Sequence, residues 1–159
     1  MLNIAIVEDE CVYANHLRDM IGSWASGKAM PSVSIFFSSA DFFQRTPDVS
    51  CYDVIFIDIT LDVDGIAFAG RLLERGYKNT LIIISNNGER AIDGYKVNAY
   101  RYYIKPLQPA DVKECMDYAL NKKSNDYFQY SRHGHTHRIA YDSILYFESM
   151  KHYLHIHVS

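Results

Sequence analysis

The sequence predicts an α/β fold, with a doubly wound five-stranded parallel sheet in residues 1–123. Short apolar runs alternate there with segments whose apolar residues recur at helical spacing. Most runs are continuously apolar, which is typical of parallel strands covered on both faces. The runs are LNIAIV (2–7), VSIFF (33–37), DVIFIDI (53–59), LIIIS (81–85) and RYYI (101–104).

The segments between the runs have the periodicity of helices that pack on a sheet. In two of them apolar residues recur at steps of three and four, so that one side of each helix would face the core. Strands that alternate with such helices indicate helices on both faces of a parallel sheet. The residues are Ala14, Leu17, Met20, Ile21 and Trp24 in the first segment, and Val112, Cys115, Met116, Ala119 and Leu120 in the last.

The composition narrows the class of protein. With 159 residues, 48% of them hydrophobic, the chain can form one full domain and part of another. No apolar run approaches the roughly 20 residues of a membrane span, and MLNIAIVEDE lacks the basic start of a signal peptide. The net charge of −3 does not indicate a nucleic-acid partner. Cys11, Cys51 and Cys115 match no metal spacing, which indicates reduced thiols in a cytoplasmic protein. Because no apolar run is long enough for a span, we expect no membrane partner.

Residues 124–159 differ in character from what precedes them. Polar and apolar residues alternate there, which predicts two or three antiparallel strands with turns near Gly134 and near Met150 and Lys151. Such a segment is too small to be stable alone, so we expect a partial all-β unit that begins a second domain.

Six of the seven histidines lie in this segment. A strand would place alternate histidines on one face, and such a face could bind a transition metal. A polar, half-exposed face is the simpler interpretation, because no cysteine or acidic ligand joins them at a zinc-like spacing. The alternating residues are His133, His135 and His137, followed by His155 and His157.

Polar residues stand where the predicted strands end. In parallel α/β sheets, ligands collect beyond the carboxyl ends of the strands. Clustered carboxylates repel one another, a divalent cation relieves that repulsion, and oxygen ligands favour Mg²⁺. This set is typical of phosphoryl transfer to an aspartate nucleophile. Its members are Glu8, Asp9, Asp58, Ser85 and Lys105.

Taken singly, most of these residues have simpler interpretations. Asp9 could cap a helix, Ser85 could be a loop hydroxyl, and Lys105 could be a solvated charge. Their joint placement on successive strand ends favours a shared site. An aspartate-nucleophile phosphatase would need a second acid two residues after Asp58. Thr60 stands at that position, which argues against this alternative.

The motifs VEDE, IFIDI, IIIS and YRYYIKP together resemble the receiver domain of two-component response regulators, over residues 1–123. The resemblance implies a flavodoxin-like strand order and a phosphoacceptor switch that catalyses only its own phosphoryl transfer and dephosphorylation. It implies that Asp58 accepts a phosphoryl group from a sensor histidine kinase. A homodimer would then form through the fourth helix, fifth strand and fifth helix, near Tyr95, Tyr100 and Arg101.

The resemblance also implies a role for each site residue. Asp9, Asp58 and the Thr60 backbone carbonyl would bind Mg²⁺ directly, with Glu8 reaching the ion through water. Three further residues would respond to the phosphoryl group. Lys105 would pair with a phosphoryl oxygen, Ser85 would move to hydrogen-bond the phosphoryl group, and Tyr102 would swing inward when Ser85 moves. The Lys105–Pro106 peptide bond would be cis.

The loop after Asp58 departs from the family pattern. Asp62 stands where proline is usual, and Gly65 follows Asp58 by seven positions instead of eight. The loop is therefore one residue shorter and carries two extra carboxylates, Asp62 and Asp64, which could change the metal affinity. Asn86 replaces a small residue beside Ser85 and predicts slow autodephosphorylation.

The segment RIAYDSILYFESMKHYLHIHV resembles the start of a LytTR-type DNA-binding domain, placed in residues 124–159. The resemblance implies an output in transcription regulation, with Lys151, His152 and Tyr153 in the first DNA-contacting loop. This stretch carries three Lys or Arg and three Asp or Glu. Because phosphate contacts dominate DNA affinity, we expect weak or absent DNA binding from it. The alternative is a receiver that acts through protein contacts alone.

Overall fold

The structure is a computed structural model that describes residues 1–28, 30–132, 134–150 and 153–159. Two compact units form, Met1–Ala119 and Leu120–Ser159. The strands are β1 (Asn3–Val7), β2 (Ser32–Phe36), β3 (Val54–Asp58), β4 (Thr80–Ser85), β5 (Arg101–Ile104), β6 (Tyr127–Arg132), β7 (His135–Ala140), β8 (Ile144–Met150) and β9 (Tyr153–Val158). The helices are α1 (Cys11–Trp24), α2 (Ser39–Arg45), α3 (Gly65–Glu74), α4 (Ala91–Lys96) and α5 (Pro109–Asn125).

The first unit contains one parallel sheet with strand order β2-β1-β3-β4-β5. The predicted doubly wound α/β fold is thus confirmed. Every residue of β3 and β4 is buried. Those two strands lie inside the sheet and are covered on both faces, which explains why their sequences are continuously apolar instead of alternating.

Successive strand residues point to opposite faces of the sheet, so their side chains belong to two separate hydrophobic cores. On one face, Ile6, Phe56 and Ile84 pack with buried residues of α1 and α5. On the other, Ile57 and Ile83 pack with α2 and α3. The helical periodicity predicted for the first and last helices is therefore confirmed, although Leu120 is exposed.

The second unit consists of two antiparallel hairpins, β6–β7 and β8–β9. The prediction of two or three strands was wrong, because a 3₁₀ turn at Tyr141–Ser143 divides the expected middle strand into β7 and β8. Gly134 adopts φ +78° at the first turn, a left-handed conformation that glycine allows without strain. Lys151, at the expected second turn, lies outside the described residues.

None of the described residues in this second unit is buried. The two hairpins touch through the rings of Phe128 and Phe147, whose centroids lie 5.1 Å apart. Within the described ranges, no helix combines the length and the apolar character needed to cross a membrane.

Candidate functional site

Three carboxylates meet at the carboxyl edge of the parallel sheet. Glu8 and Asp9 follow β1, and Asp58 ends β3, which pairs directly with β1. Each can offer an oxygen within 4.8 Å of the others. In the part of the chain that the structure describes, this is the one group of three acidic, histidine or cysteine side chains arranged so closely. Glu8 and Asp58 are buried and Asp9 is exposed, so the cluster opens to solvent on one side.

Asp58 is held by three hydrogen bonds. Its Oδ1 accepts from the backbone N–H and the hydroxyl of Thr60, both at 3.0 Å, and its Oδ2 accepts from the Lys105 ammonium at 2.7 Å. Burial acts to raise the pKa of Asp58, but the bonds from Lys105 and Thr60 outweigh burial and hold that pKa below its ordinary value. Asp58 is therefore ionised at neutral pH.

Lys105 lies between the two buried carboxylates. Its ammonium is 2.7 Å from Glu8 Oε2 and 2.7 Å from Asp58 Oδ2, and its side chain is 3% exposed. Burial acts to lower the pKa of Lys105, and the bonds to Asp58 and Glu8 raise it above its ordinary value instead. A hydrogen bond of 2.8 Å from the Lys105 backbone N–H to the Ser85 carbonyl fixes this lysine beside β4. The Lys105–Pro106 peptide bond is cis, the isomer that the resemblance implies.

Glu8 responds differently from Asp58 to the same surroundings. Burial raises the pKa of Glu8 to about 7, and the nearby negative charge of Asp58 adds to this effect. The hydrogen bond from Lys105 opposes both, but it does not outweigh them. Three carboxylates with one ammonium leave a surplus of negative charge, and an oxygen-preferring divalent cation would relieve it.

The loop between β3 and α3 turns back sharply against the strand it leaves. Thr60 and Asp64 form an isolated bridge, and the Gly65 N–H donates to the Ile59 carbonyl at 3.0 Å. A Cβ on Gly65 would lie 2.6 Å from Ile59 Cα and 2.7 Å from the Asp58 carbonyl oxygen. Only glycine fits this approach, because both of those contacts are with backbone atoms.

The two extra carboxylates of this loop have structural partners. Asp62 accepts from the backbone N–H and the hydroxyl of Ser39, both at 2.9 Å. Asp64 caps α3 through the Ile66 N–H and pairs with Arg90 at 2.8 Å. Neither belongs to the three-carboxylate cluster. The sequence carried a signal for the cap, an aspartate directly before an amphipathic segment, but none for the contacts with Ser39 and Arg90.

Ser85 and Tyr102 both contact Asn87. The Ser85 hydroxyl, which is fully buried, accepts from the Asn87 N–H at 2.9 Å. The Tyr102 hydroxyl donates to the Asn87 carbonyl. Tyr102 is half-buried against the core on the α3 side of the sheet. Sequence motifs identified Ser85 and Tyr102 but not Asn87. Asn87 makes both contacts through its backbone N–H and carbonyl, which any residue type could provide, so its position carries no sequence signal.

Asp9 does not cap the first helix. Glu10 occupies the cap position of α1 and makes no side-chain capping bond. Beneath the cluster lies a cavity of about 40 Å³, which has room for a few water molecules but not for an organic ligand. Its apolar wall includes Leu17, Met20 and Phe56.

The three predicted DNA-contacting residues fall at the start of β9 and just before it in the sequence. Tyr153 begins β9 and is exposed, whereas Lys151 and His152 lie outside the described residues. Of the histidines, His133 also lies outside them. His157 is 3.2 Å from Glu148 and stacks on Tyr146, and His137 stacks on Tyr130.

Comparison with known proteins places this geometry in a family. Residues 4–117 match the family model described as the response regulator receiver domain. The positive alginate biosynthesis regulatory protein of Pseudomonas aeruginosa is 27% identical over 117 residues, 72% of this chain and 46% of that protein. Protein MrkE of Klebsiella pneumoniae is 24% identical over 112 residues, 70% of this chain and 40% of that protein. The chain thus spans less than half the length of these relatives.

Solved structures share the fold. The response regulatory domain of MrkE from Klebsiella pneumoniae superposes with a TM-score of 0.68 at 21% identity, covering 78% of this chain and 99% of that one. A response regulator receiver domain protein from Clostridium thermocellum gives a TM-score of 0.66 at 19% identity, with coverage of 79% and 98%.

Proposed function

The chain belongs to the response regulator receiver family, and we propose that Asp58 accepts a phosphoryl group from a phosphohistidine of a sensor histidine kinase. One observation carries this proposal. Asp58 is a buried carboxylate that stays ionised at the end of β3, with Lys105 bonded to one oxygen and Thr60 to the other.

The chemistry follows from those contacts. An Asp58 oxygen attacks phosphorus, the new O–P bond forms as the P–N bond of the phosphohistidine breaks, and the electron pair of that bond stays on the imidazole nitrogen. Lys105 then pairs with a phosphoryl oxygen, since its ammonium already lies 2.7 Å from the attacking carboxylate. Thr60 hydrogen-bonds Asp58 and has no acidic proton to give a leaving group, which argues against a phosphatase.

The acidic cluster fits Mg²⁺. Carboxylate oxygens within 4.8 Å of one another are the donors that this ion prefers. We propose that Asp9, Asp58 and the Thr60 carbonyl bind it directly, and that Glu8 reaches it through water. When bound, Mg²⁺ would neutralise charge on the phosphoryl oxygens during transfer.

We further propose that Ser85 and Tyr102 transmit phosphorylation to the face formed by α4, β5 and α5. That face exposes Ile92, Tyr95 and Ile104. Beside them, Tyr100 stacks on Tyr118 with ring centroids 3.7 Å apart, and Arg101 pairs with Glu114 at 2.7 Å. Exposed apolar side chains surrounded by charged groups suit a second copy of the same face.

For the output, we propose that residues 124–159 begin a LytTR-type DNA-binding domain and that the protein regulates transcription. The name of the Pseudomonas aeruginosa relative, a positive regulatory protein, supports this proposal. The alternative is a receiver that acts through protein contacts alone. Gel-shift assays with the phosphorylated full-length gene product separate the two, since only the first requires a complex with DNA.

Intact-mass measurement after incubation with Mg²⁺ and acetyl phosphate tests the phosphoacceptor. The unmodified protein should gain one phosphoryl group, and Asp58→Asn should gain none. Asp19→Asn, which changes an exposed carboxylate on α1, is the matched control and should react like the unmodified protein. A phosphoryl group on Asp58→Asn would refute the assignment.

A further inference from the structure

The Lys105 ammonium has a third neighbour besides its two carboxylates. Its Nζ lies 4.2 Å from the centroid of the Tyr13 ring. Tyr13 belongs to the first turn of α1 and is 38% exposed, whereas the Lys105 side chain is 3% exposed. The Tyr13 ring therefore contacts a buried ammonium and is itself partly exposed to solvent.

We propose that Tyr13 is a positioning residue for phosphoryl transfer, and that its ring holds the Lys105 ammonium at the phosphoacceptor. This inference rests on the proposed function, because Lys105 matters there as the partner of a phosphoryl oxygen. The ammonium has three N–H groups. Glu8 and Asp58 each take one at 2.7 Å, and the face of the ring attracts the remaining positive charge.

The contact between the Tyr13 ring and the Lys105 ammonium contributes more to holding Lys105 as phosphoryl transfer proceeds. Phosphorylation converts the Asp58 carboxylate into an acyl phosphate, whose negative charge lies on the phosphoryl oxygens, and a bound cation would compete with Lys105 for Glu8 and Asp58. Both changes weaken the two ion pairs that fix Lys105. The attraction to Tyr13 depends on neither carboxylate, so it keeps the ammonium in place while its anionic partners change.

A purely structural role for Tyr13 would be to cover the small apolar cavity, whose lining includes Tyr13, Leu17 and Met20. Leucine would cover the cavity about as well, but it offers no aromatic face. Phenylalanine keeps the face and loses only the hydroxyl. The pair Tyr13→Leu and Tyr13→Phe therefore separates positioning from covering.

The contact itself is tested by NMR without any phosphorylation. An aromatic ring shifts the signals of protons above its face, so the Lys105 ε-methylene protons should be displaced in the unmodified protein. A Lys105→Arg variant assigns the signal. The displacement should persist in Tyr13→Phe and vanish in Tyr13→Leu. An unchanged signal in Tyr13→Leu would overturn the contact.

The consequence is tested by the rate of phosphorylation by acetyl phosphate at saturating Mg²⁺. Tyr13→Leu should react about 5- to 30-fold more slowly, and Tyr13→Phe should stay within about twofold of the unmodified protein. Val12→Ala, at the exposed neighbouring position on α1, is the control and should not change the rate.

Equal rates for Tyr13→Leu and Tyr13→Phe would overturn the positioning role. An unmodified protein that gains no phosphoryl group would instead refute the role of Asp58. In that case the NMR comparison would still decide whether Tyr13 holds Lys105, so the two failures are distinguishable.

Discussion

At the scale of single residues, the neighbouring buried carboxylates of Asp58 and Glu8 have pKa values shifted in opposite directions. Asp58 receives three hydrogen bonds, from Thr60 and Lys105, and these outweigh the cost of burial. Glu8 receives fewer compensating bonds, so burial raises its pKa to about 7. Asp58 is thus ionised across the physiological range, and Glu8 is the carboxylate that titrates within it.

This difference predicts pH-dependent Mg²⁺ binding. Folding raises the pKa of Glu8 from the ordinary 4.5 to about 7, so the stability contributed by protonated Glu8 is lost as pH rises between these values. A metal site needs the ionised carboxylate, and Mg²⁺ affinity should therefore increase by about tenfold from pH 6 to pH 8. Isothermal titration at several pH values measures this change.

The control for this dependence is Glu8→Gln, which has no carboxyl proton to lose. Its Mg²⁺ affinity should be weaker at pH 8 and nearly constant between pH 6 and pH 8. A variant that kept the full pH dependence would assign the titration to another group.

A second residue prediction concerns the lifetime of the phosphorylated protein. Asn86 is exposed directly after Ser85, where its amide can obstruct a water molecule approaching the phosphoryl group. The phosphorylated Asn86→Ala variant should lose its phosphoryl group several-fold faster than the unmodified protein. This difference corresponds to less than about 1.4 kcal/mol in the activation barrier for hydrolysis. The dephosphorylation rate is measured by following the loss of the phosphorylated mass with time after acetyl phosphate is removed. A slower or equal rate would exclude obstruction by Asn86.

At the scale of elements, strands and site carboxylates were predictable because both depend on local sequence. Continuous apolar runs identify β3 and β4, and the rule that ligands collect at carboxyl ends then brings Asp58 and Lys105 together. The β3–α3 loop was less predictable. The partners of Asp62 and Asp64 there are Ser39, the first residue of α2, and Arg90, directly before α4. Both are distant in sequence and follow no local pattern.

The same loop gives a stability prediction. Gly65→Ala would force a Cβ to within 2.6 Å of Ile59 Cα, and the resulting backbone shift should lower the free energy of unfolding by about 1–3 kcal/mol. Gly70→Ala in the same helix meets nothing within 4 Å and should raise it by about 0.5–1 kcal/mol. Urea unfolding followed by circular dichroism measures both. A Gly65→Ala protein as stable as Gly70→Ala would show that the loop relaxes freely.

At the scale of the whole chain, the two units differ in how far local sequence determines them. The first unit has two cores built from alternate strand residues. Its strands and layers followed from apolar periodicity, whereas its strand order was implied by the family resemblance. The second unit has no buried residue among those described. With no core to favour one pairing, the alternating pattern could not reveal that the turn at Tyr141–Ser143 makes four strands out of three.

The proposed communication across the first unit would pass through Asn87. A phosphoryl oxygen on Asp58 would offer the Ser85 hydroxyl a charge-assisted bond, stronger than its present bond with the Asn87 N–H. If Ser85 turns away, Asn87 loses one contact, and its carbonyl holds the hydroxyl of Tyr102 on β5. Phosphorylation at one edge of the sheet would in this way repack the face that carries Ile92, Tyr95 and Ile104.

This relay predicts partial dimerisation on activation. Allosteric coupling is typically about 1–3 kcal/mol, whereas complete conversion needs about 5.5 kcal/mol, so monomer and dimer should coexist. Analytical ultracentrifugation with and without beryllofluoride, a phosphoryl mimic, measures the dimer fraction. The unmodified protein should respond, and Ser85→Ala should respond less because it has no hydroxyl to move. Asp58→Asn is the control that should not respond. Equal responses from the unmodified protein and Ser85→Ala would exclude the relay through Ser85, whether or not Asp58 carries the phosphoryl group.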